Sequence, residues 1–140
     1  MNLLDRLNSR FRVDVSQPAT SKSDLYELKQ FSKIELPRDF VSLVSQMTEI
    51  EILVDNHKYF RIWSPLGCIQ MNEGYKIQNY IPNSLAIGDD EGGSALVMMT
   101  GNKGFGLYKV DFGDLDADSA EYISASLEEL LIKGIGAEVI

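Results

Sequence analysis

Apolar residues recur at helical spacing in the first third of the chain, alternate with polar ones in the middle, and return to helical spacing near the end. Leu3, Leu4, Leu7 and Phe11 predict a short amphipathic helix over residues 2–12. The polar, proline-containing segment 15–23 reads as a loop, after which Ser23 can cap a helix carrying Leu25, Leu28 and Phe31. Leu36-Pro37 starts a third helix, with Phe40, Leu43, Val44 and Met47 as its inner face. Ile50, Ile52 and Val54 then alternate with Glu51 and Leu53. Together with the aromatic and β-branched run 59–63 and the polar tetrapeptide Asp55-Asn56-His57-Lys58, they predict a hairpin. Ser64-Pro65 opens one or two helical turns within 65–78, weakened by Gly67 and Gly74.

Three further strands are expected at 85–88, 95–100 and 105–112, separated by Gly92-Gly93 and by Gly101-Asn102-Lys103-Gly104. Ala95 to Met99 carries almost no polar group, which predicts a central strand covered on both faces. An acidic loop at 113–118 precedes a last helix in which Ser126 and Glu129 form a capping box, with Leu127, Leu130 and Leu131 facing inward and Lys133 and Gly134 at the terminus. The resulting class is α+β: a single domain over 1–140 with a central, mostly antiparallel sheet flanked by N-terminal helices and a C-terminal helix. Residues 1–22 form its N-terminal helix and loop, and 23–133 its core.

A chain of 140 residues is long enough to bury a core without a disulfide or metal. Cys68 is the only cysteine, so no internal disulfide is available, which points to a reducing compartment. Asp5 and Arg6 interrupt the first apolar residues, so a signal peptide is not expected. No run approaches the roughly 20 apolar residues of a membrane span, and the expected location is the cytoplasm. A formal net charge of −8 disfavours nucleic acid and anionic membranes as partners. It serves solubility alone or attraction to a basic protein.

Catalytic chemistry finds little support. His57 lies in a predicted turn with no nucleophile or orienting group indicated beside it. One Cys and one His cannot make a zinc site, and the glycines of 101–106 lack the spacing and the Lys-Ser/Thr ending of a phosphate-binding loop. Asp114, Asp116 and Asp118 imitate the start of a calcium loop, but Ser119 stands where glycine is needed and Ala125 where the bidentate glutamate belongs. Asp89, Asp90 and Glu91 occupy a Gly-rich turn that is a solvated turn, a cation or hydrolytic cluster, or a contact for a basic partner. The expectation is a chain with no enzymatic activity and no cofactor. Asp89, Asp90, Glu91, Asp114, Asp116 and Asp118 are its partner-binding candidates.

Five segments in order are similar to one family. They are Leu36-Pro37-Arg38-Asp39-Phe40; Phe60-Arg61-Ile62-Trp63-Ser64 with Asn72-Glu73-Gly74-Tyr75; Ile87-Gly88-Asp89-Asp90-Glu91-Gly92-Gly93; Leu107-Tyr108-Lys109-Val110-Asp111-Phe112-Gly113-Asp114-Leu115; and Ala125-Ser126-Leu127-Glu128-Glu129-Leu130-Leu131. Across about residues 25–133 the chain resembles the SUKH superfamily, which joins Smi/Knr-type regulators of fungal cell-wall synthesis to bacterial toxin-immunity proteins. It departs from the family at Gln46-Met47-Thr48-Glu49, where members commonly place an Asn-Gly-type turn. The resemblance implies a helix-flanked sheet without a shared enzymatic site that presents a surface to a protein. In an immunity protein that partner is a toxin domain of nuclease or deaminase type; the alternative is a regulatory or scaffolding module of cell-wall or envelope pathways.

Overall fold

A computed structural model of the chain describes residues 2–140. Turn chemistry joins its strands so that each pairs with its neighbours in the chain. The strands are β1 (Phe11–Pro18), β2 (Met47–Val54), β3 (Lys58–Ile62), β4 (Leu85–Asp89), β5 (Ser94–Gly101), β6 (Gly104–Asp111) and β7 (Glu121–Ser124), and they form one seven-stranded sheet in that order. Every neighbouring pair is antiparallel. Helices α1 (Lys22–Phe31) and α2 (Arg38–Val44) lie between β1 and β2, α3 (Pro65–Gly74) and α4 (Ile77–Tyr80) between β3 and β4, and α5 (Leu127–Lys133) follows β7. The α+β class and the antiparallel sheet are as expected. Among the described residues, no helix is long and apolar enough to cross a membrane.

Local chemistry accounts for the well-matched elements. Asp55 and Asn56 both take positive φ, the geometry of the tight turn between β2 and β3, with His57 exposed in it. Ala95 to Met99 are all buried in β5. Ser126 accepts from the Glu129 N–H at 3.1 Å, and Gly134 closes α5 in the left-handed conformation.

Five elements differ from expectation. Residues 3–6 make only a 3-10 turn, and Phe11–Pro18 is a strand where a helix end and a loop were expected. The strand is an edge, exposed on most of its length, with two register shifts against β2, an Arg12–Asp14 ion pair and a terminal proline. These are devices that blunt a sheet edge. Met47 opens β2 and does not extend the helix. The segment 65–78 holds nearly three turns of α3 and then a separate turn, α4, divided by Lys76 at φ 54°. Finally, β7 was not anticipated; it is only four residues long.

Cross-strand register sorts the side chains. Ile50, Ile62, Gly88 and Leu96 form one row, and Glu51, Arg61, Asp89 and Ala95 form the next, on the opposite face. Ile50, Ile52, Phe60, Ile62, Leu96 and Met98 are all buried. Pairing between β3 and β4 is limited to Arg61–Asp89 and Ile62–Gly88, so the rest of that edge of β4 needs other partners. The Trp63 N–H donates to the Ile87 carbonyl at 2.9 Å, and a side chain completes the rest. The fully buried Asn72 of α3 accepts from the Ala86 N–H at 3.0 Å and donates to the Ala86 carbonyl at 2.8 Å, standing in for a neighbouring strand. Its Oδ1 also accepts from Gln78 at 2.9 Å.

Cys68, one turn before Asn72, is fully buried. Burial pushes its thiol well above the ordinary range, and the charge of Glu49 adds to the shift. Native protein is therefore expected to resist iodoacetamide at pH 8 and to react at once in guanidinium. Rapid labelling of the native chain would contradict this burial.

Candidate functional site

The turn Asp90–Gly93 and the loop that follows β6 leave the sheet at the same end: Ser94 pairs with Asp111, and the Phe112 N–H donates to the Gly93 carbonyl at 3.0 Å. The structure thus brings both acidic clusters to one end, but it gives their members different tasks. Asp89 accepts from the Trp63 indole N–H at 2.7 Å and from the Glu91 N–H at 2.8 Å. Asp90 accepts from the Gly92 and Ser94 N–H groups at 2.8 and 2.9 Å and faces Lys109 at 3.8 Å, with its side chain only 12% exposed. These two carboxylates build the turn. Asp116 orders the outer loop by accepting from the Asp118 N–H at 3.0 Å. Glu91, Asp114, Asp116 and Asp118 are exposed. Among the described residues, no three His, Cys, Asp or Glu side chains are grouped as metal ligands would be.

Beside the turn lies an open cleft of about 460 Å³, lined by two of the six candidates, Asp89 and Glu91, and otherwise by residues outside that set. Glu49, Arg61, Trp63, Leu66, Met71, Asp89 and Glu91 are among those that line it. A bulge in β2 directs Glu49 there: the register with β1 slips at this point and Glu49 adopts φ 44°. Its carboxylate accepts from the N–H of Ser64, the cap of α3, at 2.6 Å. Arg61 donates to Glu51 at 3.0 Å and lies 4.0 Å from Glu49. Trp63, only 3% exposed, is a core residue whose indole also walls the cleft. Three carboxylates, Glu49, Glu51 and Glu91, thus act on one guanidinium, with Asp89 and an apolar floor of Leu66 and Met71 lining the same cleft.

The crowding is felt at Glu91. Partial withdrawal from water raises its pKa above the ordinary 4.5, the neighbouring Glu51 carboxylate adds to this, and Arg61 opposes it. A raised carboxyl pKa means that the ionised form strains the fold above that pKa, and the strain fades as pH falls from the folded pKa to the unfolded one, below which it is absent. Glu91→Gln is therefore expected to raise the urea midpoint at pH 7, by no more than about 0.5 kcal/mol for so exposed a group, and to leave it unchanged near pH 4. An equal gain at both pH values would show that charge is not the cause.

No family model matches the chain and no curated protein matches it at a significant level, so the resemblance to the SUKH superfamily rests on the quoted segments alone. The cleft residues were partly visible in sequence. Glu51 and Arg61 fall on the polar side of two alternating strands, but the register that makes them neighbours does not show in composition or spacing.

Proposed function

We propose that this chain is a non-enzymatic protein-binding domain that works in the cytoplasm as an immunity protein, capturing a basic toxin domain at the acidic end of its sheet. The observation that carries the reading is the gathering of exposed carboxylates, Glu91, Asp114, Asp116 and Asp118, beside a preformed cleft rich in carboxylates. A basic partner is steered to such a surface by its field. The cleft offers Leu66 and Met71 to the stem of a lysine or arginine and carboxylates to its head. The toxin class, nuclease or deaminase, comes from the SUKH resemblance.

The test is a rescue and co-purification experiment with the toxic C-terminal domain of a protein encoded next to this chain's gene. Restored growth and a stable complex would support the reading. Association should slow with added salt, and by about tenfold when Glu91, Asp114, Asp116 and Asp118 are all replaced by their amides. Asp89 and Asp90 are left intact in that variant because they hold the turn. A salt-independent on-rate would remove charge steering from the proposal. Neither rescue nor complex, with folded protein, would favour the regulatory module.

A further inference from the structure

At the opposite end of β5, a strand of eight residues and so roughly 25 Å away, the surface has the reverse character. Phe105, at the start of β6, is 48% exposed and stands against the loop joining α1 to α2. Two adjoining hollows, of about 480 and 430 Å³, share Ile34, Leu36 and Arg38 as walls. One is closed by Val41 and Lys29, and the other by Pro37 and Phe105.

The rim is cationic. Lys29 and Arg38 border the hollows, Lys33 precedes Ile34, and Lys103 lies two residues before Phe105. All four are exposed. None of them makes an ion pair among the described residues, whereas Arg10, Arg12, Arg61, Lys109 and Lys133 are each paired. The adjacent Asp39 instead accepts from the N–H groups of Phe40 and Glu128, at 2.8 and 3.0 Å. Glu35 lines both hollows, and Asp39 and Glu128 share a third hollow with Arg38, so four cations stand against three carboxylates and the local balance stays positive in a chain of net charge −8.

We propose that this groove is a second docking site, which takes an extended acidic segment of a partner protein: an aromatic or aliphatic side chain against Ile34, Leu36 and Phe105, with flanking carboxylates on Arg38 and the lysines. Charge complementarity selects this occupant. An apolar floor rewards a buried side chain, and an unpaired arginine beside it supplies a bidentate donor for a carboxylate. A basic segment would leave those cations facing like charge. The site does not depend on the acidic end.

The test is selection of a random dodecapeptide phage library on the intact chain, with counter-selection against Arg38→Glu/Phe105→Ser. Recovered peptides are then titrated by fluorescence anisotropy. Expected peptides carry Asp or Glu around Leu, Phe or Trp, and they bind at least about tenfold more weakly to Phe105→Ser and to Arg38→Glu taken singly. Near-UV circular dichroism establishes that each variant is folded, and the four-amide variant of the acidic end should bind the peptides undiminished. No survivors of counter-selection, or survivors rich in Lys and Arg, would overturn the proposal. So would a self-associating chain whose dimer is lost in Phe105→Ser, which would make the occupant a second copy. Tighter binding of a single-stranded 12-mer oligonucleotide at the same residues would also overturn it.

Discussion

Asn72→Leu is expected to lower the thermal midpoint by about 10 °C or more. The leucine fits the volume of the site but leaves the Ala86 N–H and carbonyl without their partners in a fully buried position. Each such orphan costs about 1–3 kcal/mol, and the pair about 3–5 kcal/mol; in a chain of this length 1 kcal/mol moves the midpoint by roughly 3–4 °C. Asn72→Asp separates hydrogen bonding from shape. Its carboxylate can still accept from the Ala86 N–H, but when ionised it faces the carbonyls of Cys68 and Ala86, to which Asn72 donates at 2.7 and 2.8 Å. That variant should be as damaged as the leucine at pH 7 and should partly recover in acid, where a protonated carboxyl donates again. A leucine variant as stable as the native chain would mean that the amide bridge does not hold α3 to β4.

The second large effect is expected from Gly88→Ala. A Cβ on Gly88 would run into the Arg61 carbonyl oxygen and lie 3.2 Å from its carbonyl carbon, in a ladder of only two residue pairs. Backbone cannot move aside as a side-chain tip can, so the ladder must open, at a cost of about 3 kcal/mol. Trp63 is the only tryptophan, and its indole is held by Asp89, the residue after Gly88. A red-shifted, weakened emission should therefore accompany the loss of stability, together with loss of partner binding at the cleft. Gly74→Ala is the control: a Cβ there meets nothing within 4 Å, and the change should be neutral or slightly stabilising. Native emission and stability in Gly88→Ala would show that the close approach of the strands is not required.

Side-chain patterning conveyed most of this fold where local chemistry and tertiary packing agree. The turn at 55–58, the buried run 95–99 and the capped α5 all satisfy that condition. It failed at Phe11–Pro18, where Leu3, Leu4, Leu7 and Phe11 imitate a helical stripe. Phe11, Val13 and Val15 do alternate with Arg12, Asp14 and Ser16, but Phe11 also completes the helical spacing of the leucines, and an edge strand exposed on most positions makes its alternation easy to overlook. Four-residue β7 is too short to produce a period. In the candidate site, the acidic turn was legible because charge is a property of composition. Glu49 was not: its place above the α3 cap depends on a bulge and a positive φ, which an acidic residue in an alternating run does not announce. Nor does spacing reveal that Asp89 and Asp90 serve the turn, since a carboxylate accepting from backbone has the same letter as a free one.

The β3–β4 ladder is the narrowest in the sheet and divides it into two ribbons, β1–β3 and β4–β7, with a seam between them. The cleft straddles that seam. Glu49, Arg61 and Trp63 stand on one side, Asp89 and Glu91 on the other. A ligand that grips both banks acts as a staple, and its affinity is added to the free energy that keeps the ribbons together. Amide hydrogens along the seam would then exchange more slowly in the complex than in the free chain, even at positions the ligand never touches.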